Sequence, residues 1–219
     1  MVVAVILDLD GTLVTFTFDV RGTRQIIIAE MKSRGFDTSG LDQTTPTQRI
    51  LDAARSQVPP RSESEYIDFR KGVFAILDRF ELSGVESTSP IPGATEAVRH
   101  LKSKGVRMAI LTNSGRKAAS ESLRKAGLEG FFEFVLTRDD TQTMKPSSEG
   151  LVQAAGVLKV PVGSVYYVGD SPYDIIAARG AGARVVSVAT GNYSMERLRA
   201  DGADHVIPTL SDLPRVLGV

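Results

Sequence analysis

A chain of 219 residues, 42% hydrophobic and 24% charged, can bury one large core or a medium core with an appendage, and its composition excludes disorder. Twenty-six basic and 26 acidic residues cancel, so no global field draws it to nucleic acid or an anionic membrane, and small or neutral partners are expected. With no cysteine, disulfides, thiolate catalysis and thiolate zinc sites are excluded, and only His100 and His205 could offer imidazole. No run approaches the ~20 apolar residues of a membrane helix, and the opening apolar run lacks the basic flank of a secretory leader, so a soluble, cytoplasmic protein is expected.

The first predicted element is a strand over residues 2–8, whose near-continuous apolar run VVAVIL suits a strand covered on both faces, as parallel sheets require. It leads into DLDGT, which sets Asp8 and Asp10 at the strand end and turns on Gly11. Between residues 16 and 88 the pattern is helical, in three stretches. In the longest, Tyr66, Phe69, Val73, Ile76, Leu77 and Phe80 recur at three- and four-residue spacings, a one-sided stripe that reads as packing. Pro90, Pro92 and Gly93 in SGVESTSPIPG (83–93) punctuate its end.

Beyond residue 90, VRMAIL (106–111), FEFVL (132–136), SVYYVG (164–169) and RVVSV (184–188) alternate with amphipathic stretches. That alternation predicts βαβ units. The expected fold class is therefore α/β: an open parallel, Rossmann-like sheet built from residues 1–14 and 89–219, with an inserted all-helical domain over 15–88.

Ligands of open parallel sheets bind outside the carboxyl ends of the strands. There the first strand delivers Asp8 and Asp10. The second delivers Thr112 and Asn113, then Ser114 and Gly115 at a predicted helix start whose backbone N–H groups could receive an anion. Lys145 stands in the loop after the third, before a proline that fits the first turn of the next helix. The fourth delivers Asp170, and Asp174 in the first turn of a helix beginning near Pro172. Taken singly, such residues are turn formers, helix caps or solvated charges. Recurring at successive strand ends, they define one rim.

Clustered carboxylates repel unless a cation sits among them, and a chain almost without nitrogen or sulfur ligands points to Mg²⁺ rather than Zn²⁺. A lysine, a hydroxyl and a helix start complete a site suited to a phosphoryl group. Asp8 can attack phosphorus to give an aspartyl-phosphate. Asp10, on the same side if strand alternation persists, can protonate the leaving oxygen and later deprotonate water.

DLDGT with Asp8 and Asp10, LTNS with Thr112, MKP with Lys145, and GDSPYD with Asp170 and Asp174 together resemble the four motifs of the haloacid dehalogenase superfamily. The early helical insertion is similar to the cap of its phosphoglycolate phosphatase and β-phosphoglucomutase-like branch. The resemblance implies Asp8 as nucleophile and Mg²⁺ ligand, Asp10 as acid/base and ligand through its backbone carbonyl, and Asp170 as the third protein ligand. It assigns phosphoryl oxygens to Thr112 and Lys145, with backbone N–H groups around Gly11 and Asn113 assisting, and Asp174 to steadying Lys145 or a metal-bound water. The cap would open for substrate and close against water. Many members of this branch carry an Asp-Ser pair at the cap hinge where this chain has Thr15 and Phe16. The chemistry is untouched by that departure, but substrate identity does not carry over. Arg21, Arg49 and Arg70 are candidate specificity residues.

A Mg²⁺-dependent phosphatase acting on a small phosphorylated metabolite, phosphoglycolate-like or a sugar phosphate, is the expected function, with a sugar phosphomutase as the alternative. A phospho-receiver module also gathers acids, a hydroxyl and a lysine, but it is usually ~120 residues with its acids on different strands, so the DxD spacing favours turnover. RGAGAR (179–184) supplies only GxG and reads as a helix end, and no P-loop is present.

Overall fold

The computed structural model describes residues 4–15 and 18–219. In chain order it runs β1 (Ala4–Leu7), α1 (Val20–Ser33), α2 (Thr47–Arg55), α3 (Glu63–Val85), α4 (Ala94–Ser103), β2 (Arg107–Leu111), α5 (Arg116–Lys125), β3 (Val135–Leu136), α6 (Glu149–Val157), β4 (Val165–Gly169), α7 (Pro172–Ala181), β5 (Arg184–Val188), α8 (Met195–Ala200), β6 (His205–Ile207) and α9 (Leu213–Leu217). The chain divides into two compact units, one of Met1–Phe16 with Ser87–Val219 and one of Thr17–Glu86.

The larger unit is built on a six-stranded parallel sheet in the order β3-β2-β1-β4-β5-β6. All four residues of β1 are buried, because alternate side chains enter different cores. Val5 and Leu7 join the layer lined by α4, α5 and α9, through residues such as Val98, Leu123 and Leu213. Ala4 and Ile6 join the layer of α6, α7 and α8, with Leu151, Ile175 and Leu198. This is the two-sided burial expected of a central parallel strand. Residues 2 and 3 of that expected strand lie outside the described residues.

Register sets the site. Leu7 pairs with Ile110 of β2 and Val168 of β4, and the Asp8 amide donates to the Val168 carbonyl at 2.8 Å, so these strands finish together. Three details differ from expectation. FEFVL shortens to the two-residue β3, an edge element bonded on one side only, although Glu133 N–H still donates to the Met108 carbonyl at 2.8 Å. β6 carries no apolar run and its His205 is exposed, which hid it from the sequence pattern. Helix α6 starts at Glu149, so Pro146 lies before it rather than in its first turn.

The smaller unit holds α1, α2 and α3. The Asp19 side chain caps α1 by accepting from the Gly22 amide, and Ser62 and Glu65 form a reciprocal capping box on α3. Of the predicted stripe, Phe69, Val73 and Leu77 are buried, while Tyr66, Ile76 and Phe80 are half-buried. Ile27, Met31, Ile50 and Leu51 complete this small core, and the Phe36 ring stands 5.3 Å from that of Phe69. Arg21 and Arg49 are exposed, and the Arg70 guanidinium lies 4.4 Å above the Phe74 ring.

Ile6 has no exposure and sits on the strand that positions Asp8. Ile6→Ala should lower unfolding stability by roughly 2–5 kcal/mol, the range for a truncated core aliphatic. Urea denaturation measures it, and a loss below about 1 kcal/mol would mean the sheet packs otherwise than described.

Candidate active site

Lys145 is the hub of the rim. Its Nζ donates to Asp8 Oδ1 at 2.6 Å, to Asp174 Oδ1 at 2.8 Å and to the Tyr167 hydroxyl at 2.9 Å. All four residues are buried. Each comes from a different place: Asp8 follows β1, Tyr167 sits in β4, Asp174 is the third residue of α7, and Lys145 rides the loop before α6. Pro172 opens α7, and a capping box locks Asp174 there. The Asp174 Oδ2 accepts from the Ser171 hydroxyl at 2.6 Å and from its amide at 3.1 Å. Asp174 thus commits both oxygens.

The loop after β2 holds Asp10. Its Oδ2 accepts from the Ser114 hydroxyl at 2.5 Å and from that of Thr112 at 3.3 Å, and the Ser114 amide donates to Thr112 Oγ1 at 3.0 Å. Asn113 brackets the lysine backbone: its amide nitrogen donates to the Lys145 carbonyl at 3.0 Å and its oxygen accepts from the Lys145 N–H at 2.9 Å. Buried Arg138 donates to the Asn113 carbonyl at 3.1 Å. At the start of α5 the Arg116 amide already donates to Asp139 Oδ2 at 2.8 Å, so part of the expected anion-binding helix start holds an anion of the chain itself.

Asp170 packs closely against backbone, with the Thr12 hydroxyl donating to its Oδ1 at 3.5 Å. A Cβ on Gly191 would fall 1.7 Å from its Oδ2, and one on Gly11 2.6 Å from the same atom. Gly11 also has φ +81°, which L side chains rarely adopt. Its amide donates to the Val14 carbonyl at 2.8 Å. The Thr190 hydroxyl, beyond β5, donates to the Gly11 carbonyl at 2.7 Å. Thr15 clamps the other end of the turn, its amide donating to the Ser89 carbonyl at 2.9 Å and its hydroxyl accepting from the Ser89 amide at 3.0 Å. Phe16 lies outside the described residues.

Asp8, Asp10, Thr112, Asn113, Lys145, Asp170 and Asp174 therefore lie around one rim of the larger unit, while Arg21, Arg49 and Arg70 belong to the smaller one. The sequence pointed to Ser114 and Asn113 only for their backbone, while their side chains hold Asp10 and Lys145, and it did not single out Tyr167, Thr190 or Gly191. Position after β2 is the one signal for Ser114 and Asn113; Thr190 and Gly191 follow β5, beyond the strand ends that carry the acids and Lys145.

Negative charge exceeds positive charge here. Burial pushes the Asp8 carboxyl from 3.8 up to about 7, with Lys145 opposing and Asp174 and Asp10 adding to the rise. Burial also lifts Asp10, against the hydrogen bond from Ser114, and lifts Asp170 well above its ordinary range together with the charges of Asp174 and Asp8. Burial alone would lower the Lys145 ammonium, but Asp174 and Asp8 outweigh it and hold it well above its usual value. Asp8, Asp170 and Asp174 each bring an oxygen within 4.8 Å of the others. An all-oxygen donor set with uncompensated buried charge fits a hard divalent cation.

A family model described as haloacid dehalogenase-like hydrolase matches residues 2–182. The chain is 31% identical to a plasmid-encoded phosphoglycolate phosphatase of Cupriavidus necator, over 98% of this chain and 92% of that one. It is 27% identical to the pyrophosphatase PpaX of Halalkalibacterium halodurans, over 98% and 96%. Among solved structures, a hydrolase from Pseudomonas syringae superposes with a TM-score of 0.67 at 21% identity, covering 99% of this chain and 98% of that one.

A raised carboxyl contributes stability that is complete below its unfolded value, near 4, and lost as pH climbs through its folded value, about 7 for Asp8. In metal-free buffer the melting temperature should therefore fall as pH rises from about 4 to about 7 and level off above that. Asp8→Asn should flatten that fall. An identical decline in both proteins would show that Asp8 is not under this strain.

Proposed function

The chain belongs to the haloacid dehalogenase-like hydrolase family, and from that premise we propose that it is a Mg²⁺-dependent phosphatase which removes the phosphoryl group of a small phosphomonoester through an aspartyl-phosphate on Asp8, with residues 15–88 as its helical cap. One observation carries the reading: a buried lysine held 2.6 Å from the acid at the end of the central strand, with two further acids converging on it. That set neutralises a phosphoryl group while leaving a nucleophile beside it.

In the first step an Asp8 oxygen forms a bond to phosphorus as the ester P–O bond breaks, and Asp10 gives its proton to the departing oxygen. In the second, Asp10 takes a proton from water, whose oxygen bonds to phosphorus and releases Asp8 with inorganic phosphate. Asp10 suits both steps because burial raises its affinity for the proton while Ser114 and Thr112 fix the carboxylate. Lys145 and the Thr112 hydroxyl face the phosphoryl oxygens. Asn113 sets the height of Lys145 and Asp174 its direction. A Mg²⁺ held by Asp8, Asp170 and the Asp10 backbone carbonyl would supply further neutralisation of the phosphoryl charge. Asp174, with both oxygens occupied, serves the lysine.

The relatives named phosphoglycolate phosphatase and pyrophosphatase support a small phosphorylated substrate, with phosphoglycolate-like acids and sugar phosphates foremost. A phosphate-release screen with Mg²⁺ over 2-phosphoglycolate, pyrophosphate and sugar phosphates tests this. Turnover of at least one is expected. Asp8→Asn should abolish it with the fold kept, and Asp10→Asn should slow it by roughly 10²- to 10⁴-fold. Full activity in Asp8→Asn, or in chelator, would refute the nucleophile or the metal respectively.

A further inference from the structure

Lys145 has an ammonium group with three N–H donors, and all three are in use: Asp8, Asp174 and Tyr167 accept one each. A phosphoryl oxygen can receive a bond from Lys145 only if one of these acceptors lets go. Asp174 is pinned by Ser171 in the capping box of α7, at 2.6 and 3.1 Å. Tyr167 is pinned as well. Its ring is fully buried in β4, and its hydroxyl lies 3.0 Å from Asp174 Oδ1 and 3.3 Å from the Leu111 carbonyl, giving its single proton an acceptor whichever way it turns. Asp8 is the remaining partner, and it is the one that must turn to phosphorus.

We infer that Tyr167 is a positioning residue for phosphoryl binding: its hydroxyl is the neutral tether that keeps the Lys145 ammonium at the rim when Asp8 releases it. The inference rests on the phosphatase reading above. A neutral acceptor suits the task, since a third carboxylate would hold the ammonium more tightly and add negative charge beside an incoming dianion. Without the phenol oxygen, Lys145 keeps one fixed acceptor, Asp174, and one that leaves during the reaction. The ammonium would then be free to swing with Asp8 instead of meeting the phosphoryl group. Phenylalanine retains the ring that packs the layer of α6 and α7, so Tyr167→Phe keeps the packing and removes the hydroxyl with its contacts to Lys145, Asp174 and the Leu111 carbonyl.

With a substrate found by the screen, Tyr167→Phe should raise KM and the inhibition constant of inorganic phosphate together by roughly 10- to 100-fold, as for a lost hydrogen bond to a charged group, while kcat changes less. A purely structural tyrosine would lower the melting temperature and leave both constants in place, and that result overturns the inference. Nitrogen-15 NMR of the lysine ammonium groups gives an activity-independent readout. Lys145→Met identifies the signal. In the wild type it should stay in slow exchange with water both before and after addition of phosphate with Mg²⁺, and in Tyr167→Phe it should be lost on that addition. Equal protection in both proteins overturns the inference. If Tyr167→Phe does not fold, the wild-type spectrum alone decides: persistence of the signal with phosphate bound supports the tether, and its disappearance refutes it. A wild type that releases phosphate from no phosphomonoester defeats the phosphatase reading instead, and the two failures are separate.

Discussion

One buried ammonium among four carboxylates governs the larger unit. Taking charges out of water is costly, and the mutual attraction of an ion pair offsets that cost only when its geometry is good and the remaining hydrogen bonds are made. Here the lysine makes its full set, and Asp174 makes four. The acids as a group stay underneutralised, visible in the upward displacement of Asp8, Asp10 and Asp170. A site left with surplus negative charge is a poor design for stability and a good one for recruiting a cation and then a phosphoryl group.

The parallel sheet makes this concentration possible. Each βαβ unit returns the chain to the same edge, so residues as far apart as Asp8 and Asp174 arrive at one rim without long loops. The neighbouring helix start fixes what the strand delivers, as Ser171 and Pro172 do for Asp174. Aromatic packing contributes too: Tyr167 presents its ring to the apolar layer and its hydroxyl to the lysine, so one side chain serves core and site.

Legibility in the sequence followed this division. The central strand, the alternating units and the acids at their ends were readable because hydrophobic period and strand-end position are local signals, and Asp8, Asp10, Thr112, Lys145, Asp170 and Asp174 all come to the rim. The edges were read less well, since a strand paired on one side needs no apolar run: β6 left no pattern, and β3 is shorter than the FEFVL run that announced it. Tyr167 carries no signal of its own, because nothing in SVYYVG says which of two tyrosines turns inward. Tyr166 is in fact half-buried and takes a hydrogen bond from Arg184 at 2.9 Å. Asn113 was read for its backbone, while its side chain does the holding. Partners more than thirty residues apart leave no local mark.

Glycine explains why Asp170 can stand where it does. A carboxylate aimed into a rim needs backbone close on its other side, to exclude water without adding a competing side chain. Gly191 and Gly11 bring backbone within van der Waals reach of the same oxygen, and a methyl group at either position would collide with it. Gly169 does the same for Asp174, where a Cβ would fall 2.4 Å from the carboxyl carbon. The glycine of the first motif is thus dictated by the acid of the fourth, 159 positions later, as much as by the turn it makes. Small residues and acids are selected together, each defining the space the other occupies.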